Sequence, residues 1–238
     1  MGASSGIGRL VAERLLSEGW IVGVAARRAE ILQTIGDQQE GAKQRLVTKR
    51  IDITEPEADK ALDELIAQLG GLDLYFHSSG IGWQNPQLEA DIELRTVTTN
   101  ALGFTRMVGA AFRYMAEHGG GHIAVISSIA GTKGLGPAPS YSATKAFDNT
   151  YIQALEQLAN TRRLNIHFTD IRPGFVATDL ISGSHFPMTM RPEVVADAIM
   201  RALHRRCHII VIDWRWRLLV SLWRRIPRFI WRRLPLLR

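Results

Sequence analysis

The chain holds a single cysteine, Cys207, so no internal disulfide can form and a reducing compartment is expected. No basic stretch followed by an apolar run is read at the amino terminus, which argues against a secretory signal. Runs of about 18 uninterrupted apolar residues are also missing, which argues against a spanning helix. There are no repeats and no low-complexity linkers. The 238 residues, 46% of them hydrophobic, suit one compact domain. Acidic residues are scarce at one end only. Residues 201–238 hold eleven arginines and one acid, Asp213, a net +10 against +6 for the whole chain, so the remainder is mildly acidic at −4.

Short apolar runs alternate with amphipathic segments. Trp20–Ala26, Leu72–Phe76, His122–Ser127, Asn165–Ile171 and His208–Asp213 read as buried strands, and Arg45–Asp52 as a more exposed one. GRLVAERLLSEG and PEADKALDELIAQLG have helical periodicity. The alternation predicts an α/β fold, a doubly wound parallel sheet with helices on both faces. Residues 1–213 form the expected domain and residues 214–238 a tail.

The chain opens on MGASSGIG. After a strand, Gly2 would allow a sharp bend, Gly6 a close approach to a pyrophosphate, and Gly8 close packing of a helix beginning near Ile7. The free N–H groups and positive dipole end of that helix would favour a phosphate, with Ser4 and Ser5 in the turn. Here the strand itself is missing. It belongs in the middle of the sheet, and unpaired backbone groups on its neighbours would cost about 1–3 kcal/mol each. The expectation is a gap or a displaced segment at that place, with a natural start some ~5–15 residues earlier in an apolar, β-branched run.

Further along, YSATK places Tyr141 and Lys145 one helical turn apart on one face. Ser128 ends the run HIAVISS, Asn100 lies in TTNALG, and RPGFVAT supplies Pro173, Gly174, Val176 and Thr178. Together, in this order and spacing, these motifs resemble the short-chain dehydrogenase/reductase family, from Gly2 to about Asp213. The resemblance implies a Rossmann-type fold and hydride transfer between a carbonyl and a nicotinamide. Such a reaction needs an acid beside the developing alkoxide. The Lys145 ammonium one turn away would favour the phenolate of Tyr141. The Ser128 hydroxyl would hydrogen-bond the substrate oxygen. By resemblance, Asn100 would hold a water linking Lys145 to solvent.

The second strand ends in VAARRAE, with Ala26 where the family places an acid for the ribose hydroxyls. Arg27 and Arg28 suit a 2′-phosphate instead, so NADP(H) is the expected cofactor, and no metal is expected. Asp52 matches the family's adenine-contacting acid and equally suits a helix cap. By the same resemblance, Thr178 would bond a carboxamide or a phosphate, and the backbone around Val176 would orient the nicotinamide. The family's NNAG turn is replaced by HSSG, His77 to Gly80. Ser79 and Gly80 still permit close approach to the cofactor, and His77 reads as a packed or capping residue. Met1 stands where the family has threonine.

The tail carries four of the six tryptophans. As a helix it would place Arg217, Ser221, Arg224, Arg225, Arg228 and Arg232 on one face and Trp216, Leu219, Val220, Trp223 and Ile230 on the other. Pro227 and Pro235 would kink or end it. A basic amphipathic helix with tryptophans suits an anionic membrane surface, and a packed contact with a subunit is the alternative. No nucleic acid is expected. The reading is an NADPH-dependent oxidoreductase that interconverts a ketone and an alcohol on a small apolar or lipid-like substrate, with Ile181–Met190 as a lid. It would be a homodimer or homotetramer, cytoplasmic and peripheral on the inner face of a membrane. A catalytically weak nucleotide-sensing or scaffold protein of the same fold is the alternative.

Overall fold

The computed structural model describes residues 1–37, 39, 41–181 and 186–235. Among these, six strands alternate with helices. α1 (Gly6–Ser17) leads into β1 (Val22–Ala26), α2 (Ala29–Leu32), β2 (Leu46–Arg50), α3 (Ala58–Leu69) and β3 (Leu74–His77). α4 (Ala90–Val97) runs through a π-helical turn, Thr98–Gly103, into α5 (Phe104–Glu117). Then come β4 (Gly121–Ile126), α6 (Pro139–Thr161), β5 (Ile166–Arg172), α7 (Pro192–His204), β6 (Ile209–Val211), α8 (Trp214–Arg225) and α9 (Arg228–Trp231).

All of these strands pair in parallel. Their Val- and Ile-rich stretches are covered on both faces by helices, as buried parallel strands require. Val11, Leu16, Val195 and Ile199 fill the core on one side, and Met107, Ile123, Leu155 and Phe168 the core on the other. The fold is a Rossmann-type α/β domain.

The sheet is not continuous, however. It parts into a two-stranded piece, β1–β2, and a four-stranded piece, β3–β4–β5–β6. Between β1 and β3 lies a slot of about 300 Å³, lined by Val22–Ala25, Leu74–Phe76 and the apolar faces of α1 and α3. This is the expected place of the missing strand. Among the described residues, only the carboxyl end of the slot is bridged, by the first three residues. The Met1 amine donates to Phe76 O at 2.8 Å, Ser78 N to Met1 O at 3.0 Å, and Gly2 N to Ala25 O at 2.8 Å. Burial there pushes the Met1 amine down from 8.0 to about 5.

The tail bends where the sequence places its proline: α8 ends at Arg225 and Pro227 precedes α9. One expectation is corrected. Trp216 and Val220, placed on the apolar face expected to meet a membrane or a subunit, are buried against the domain, as is Trp231. The free apolar residues of α8 are Trp214, Leu218, Leu219 and Leu222. A helical wheel separates two faces but does not say which of two apolar flanks meets the body.

Candidate active site

The glycine turn sits at the carboxyl end of the slot. Gly2 has φ +82° and Gly6 φ +55°, both in the left-handed region that favours glycine. A Cβ on Gly8 would lie 2.3 Å from Gly2 O, so only glycine lets α1 start this close to the turn. Ser5 caps α1 in an extended conformation, and the N–H groups of its first turn, Gly6 to Gly8, have no intrahelical acceptor. A Cβ on Gly6 would be 3.3 Å from the Thr178 methyl, so the fold brings the turn and the loop after β5 together.

Arg27 and Arg28 follow β1 and are exposed. Arg28 Nη2 donates to Ser4 Oγ at 3.3 Å, which sets a guanidinium beside the glycine turn. Asp52, after β2, is drawn into its own turn: its Oδ1 accepts from Thr54 N at 3.0 Å and Thr54 Oγ1 at 2.7 Å. This is an Asx turn inside the loop after β2 and not the helix cap that was the alternative, since the N-cap of α3 is Glu57.

Ser128 follows β4, and α6, which carries Tyr141 and Lys145, packs on the turn that Ser128 opens. Ser128 is buried and extended, and its Oγ accepts from Ala130 N at 3.1 Å. Among the described residues no acceptor takes its hydrogen, so it can donate to a substrate oxygen. Tyr141 and Lys145 lie in the first two turns of α6, which opens with Pro139 and is capped by Glu93 Oε2 accepting from Ser140 N at 3.1 Å. The Tyr141 ring lies against Gly82, where a Cβ would come within 2.4 Å of it.

Asn100 sits in the π-helical turn, a common device at functional sites. Its Oδ1 accepts from Ile81 N at 2.9 Å, and its Nδ2 donates to Ile81 O at 2.7 Å and Thr144 Oγ1 at 3.3 Å. Thr144 Oγ1 in turn donates to Tyr141 O at 3.0 Å. Here the Asn100 side chain is a brace between the Gly80–Ile81 backbone and the start of α6. Gly80 passes close by: a Cβ there would lie 3.7 Å from Lys145 Nζ.

His77 is fully buried and its Nδ1 pairs with Tyr75 Oη at 2.9 Å. Burial first, then the Met1 terminus and Lys145, hold its imidazole well below the usual range, so it is neutral. It is the packed histidine expected from HSSG. Ser79 N and Ser78 C lie within 2.8 Å of a Cβ placed on Gly2, so the two turns touch.

A charge cluster that sequence reasoning missed lies beneath Lys145. Its Nζ donates to Asp148 Oδ2 at 2.9 Å and Ile126 O at 3.0 Å. Asp170, also buried, accepts from Arg172 Nε at 2.8 Å and Nη2 at 2.6 Å, and from Ser127 Oγ. Burial alone would lower the Lys145 ammonium. The charges of Asp148 and Tyr141, the Asp148 hydrogen bond and Asp170 outweigh it and hold the ammonium above its ordinary value. The signal was there in TKAFD: an acid three residues after the lysine shares its helix face.

On the loop after β5, Pro173 O accepts from Ile129 N at 3.1 Å, and Thr178 Oγ1 donates to Val176 O at 3.3 Å. Val176 bridges to Met190. A Cβ on Gly174 would lie 2.3 Å from the Trp216 indole, so α8 rests directly on this loop. The expected lid, 181–190, falls partly outside the described residues, at 182–185. Of the rest, Phe186 stacks on Phe175 with ring centroids 4.1 Å apart.

Comparison with known proteins bears on the family and the fold. Residues 1–185 match the short chain dehydrogenase family. An uncharacterized oxidoreductase of Myxococcus xanthus is 34% identical over 190 residues, which cover 79% of this chain and 74% of that protein. One from Staphylococcus aureus is 33% identical over 88% of this chain and 91% of its own. A short-chain dehydrogenase from Sphingobium yanoikuyae, solved with NADPH, superposes with a TM-score of 0.80 at 22% identity, covering 100% of this chain and 95% of its own. The family match over residues 1–185 and relatives more than 30% identical over most of their length show that the chain belongs to the short chain dehydrogenase family of oxidoreductases.

Proposed function

We propose that this chain is an NADPH-dependent oxidoreductase interconverting a ketone and a secondary alcohol on an apolar or lipid-like substrate. The observation that supports the reading is the packing of α6, with Tyr141 and Lys145, on the turn that Ser128 opens after β4. The residues present fit a dinucleotide. Gly2, Gly6 and Gly8 leave room for a pyrophosphate at the α1 terminus, and the Arg28 guanidinium stands beside Ser4. Ser79, Gly80, Pro173, Gly174, Val176 and Thr178 would line the path of the cofactor toward Ser128, and Arg27 and Arg28 would take the 2′-phosphate. When bound, the nicotinamide supplies the hydride.

The chain's own residues supply the rest. The Ser128 hydroxyl donates to the carbonyl oxygen and fixes it. The Tyr141 phenol gives its proton to that oxygen as negative charge develops there. Two of the three Lys145 hydrogens are held by Ile126 O and Asp148, which leaves one for the Tyr141 side. Asn100 keeps the helix carrying both in register with the Gly80 backbone.

The apolar substrate is supported by Phe175, Phe186 and Met188 beside the loop after β5. A homodimer or homotetramer is supported by exposed apolar residues on neighbouring helices: Leu94 and Val97 of α4, and Phe147 and Leu158 of α6. The reading places the protein in the cytoplasm. Among the described residues no helix is long and apolar enough to cross a membrane.

The test is NADPH consumption against a panel of apolar ketones. Tyr141→Phe should lower turnover about 10²–10⁴-fold while NADPH binding stays intact, since only the proton donor is lost. Full turnover in that variant would remove the assignment.

A further inference from the structure

The outward side of the tail has no role in this chemistry, and its composition is unlike the rest of the surface. Trp214, Leu218 and Leu222 recur every four residues, so they form one line along α8. They are 71%, 55% and 56% exposed, and Phe229 of α9 adds a fourth apolar side chain at 64%. Seven arginines lie between Arg215 and Arg233 with no acid among them, and each is exposed. The acid before them, Asp213, is already paired with Arg215 at 2.6 Å.

The inner side of the tail is firmly occupied. Trp216 Nε1 donates to Met188 O at 3.4 Å, Trp231 Nε1 to Gly134 O at 2.8 Å, and Lys133 Nζ to Ile226 O at 2.9 Å. These contacts seat α8 and α9 on the loops after β4 and β5, which carry Ser128 and Pro173–Thr178. The tail is therefore a fixed part of the domain surface at the mouth of the site, and its apolar line points away from the protein.

We propose that this outward line of α8 and α9 docks on an anionic lipid bilayer, with the mouth of the site beside the membrane surface. An apolar centre flanked by arginines matches acyl chains beneath anionic headgroups. A nucleic acid would pair with the arginines and leave Leu218, Leu222 and Phe229 in water. A second copy of the tail would bring arginine against arginine. The docking itself is independent of the reaction. Delivery of an apolar substrate from the bilayer to the site is the part that rests on the proposed function.

The full chain is sedimented with vesicles of phosphatidylcholine mixed with phosphatidylglycerol, and with vesicles of phosphatidylcholine alone. The expected result is binding to the mixed vesicles, weakened by high salt, and little binding to the neutral ones. Leu218→Ser with Leu222→Ser should reduce binding at least about tenfold. Both leucines are exposed, so melting temperature and NADPH binding serve as controls for folding and should not change. If the protein stays in solution with both vesicle types, the proposal fails. It fails equally if the double variant binds as tightly as the parent. Loss of a dimer in light scattering, without vesicle binding by either protein, would instead assign the line to a subunit contact. None of these readouts depends on turnover, so an error in the catalytic assignment would not mimic a failure of docking.

Discussion

Lys145 Nζ and Asp148 Oδ2, one and two turns along α6 from Tyr141, meet at 2.9 Å with both side chains buried. Asp170, held by Arg172, faces the same ammonium, and the neutral His77 lies nearby. In the proposed reaction the lysine's positive charge favours the phenolate, and the Asp148 carboxylate offsets part of that charge. Asp148→Asn removes the offset. Alcohol oxidation needs the phenolate, so below the pH at which Lys145 loses its proton the acid limb of the kcat/KM profile should move to lower pH. That upper pH should fall as well, because Asp148 also holds the buried ammonium above its ordinary value. A profile that does not move would make Asp148 a purely structural partner of the lysine.

Arg27 and Arg28 are the basis for choosing NADPH over NADH. Replacing both with alanine should weaken NADPH binding by more than about 1.5 kcal/mol, roughly tenfold, because a hydrogen bond to a charged group is worth about that much. NADH binding should barely change. Fluorescence titration of both nucleotides gives the comparison, and equal losses would show that these arginines do not read the 2′-phosphate.

The slot beside β1 predicts a gain of stability. Extending Met1 at its amino side with about five or six alternating Val and Ile residues would pair the facing edges of β1 and β3. It would also replace the buried amine with an amide. That amine sits at about 5 in the folded chain against 8.0 ordinarily, so its contribution to stability is complete above pH 8 and is lost as pH falls toward 5. At pH 7 the loss is about 1 kcal/mol. The extended protein should melt higher than the parent, with a difference that widens from pH 8 to pH 6. An unchanged or lowered melting temperature would mean the slot does not accept a strand.

Acid should destabilise the fold through His122. Its Nε2 pairs with Thr169 Oγ1 at 2.8 Å, and burial, then His167 and Arg206, lowers it from 6.5 to about 4. Above pH 6.5 the imidazole is neutral folded or unfolded. Between 6.5 and 4 only the unfolded chain takes up the proton, so stability falls. His122→Gln can keep the bond to Thr169 without titrating. Its melting temperature should fall less steeply over that range, and parallel curves for the two proteins would assign the acid sensitivity elsewhere.

Much of this was legible in the sequence because buried parallel strands are continuous apolar runs. Each of the six expected strands contains or closely overlaps an observed one, as Asn165–Ile171 does Ile166–Arg172. The pair Tyr141 and Lys145 could be read because a helix converts spacing into a shared face. Asp148 and the Asp170–Arg172 pair were not read, since along the chain they look like ordinary surface charges. Their importance comes from burial, which only the packing of α6 on β4 and β5 creates. The parted sheet was legible as an expectation from one missing element. How three residues would bridge it was not, because those hydrogen bonds join Met1 to Phe76 and Gly2 to Ala25 across distant parts of the chain.

The parted sheet also changes what the proposed cofactor would do for the protein. Arg27, Arg28 and Asp52 belong to the smaller piece, and Ser128, Tyr141 and Lys145 to the larger. A dinucleotide spanning these groups would act as a clasp between two halves that the backbone joins at one end only. Part of its binding energy would then go into cohesion, and the folded population would be coupled to nucleotide concentration. Breathing of the slot and release of the nucleotide would be two views of one motion.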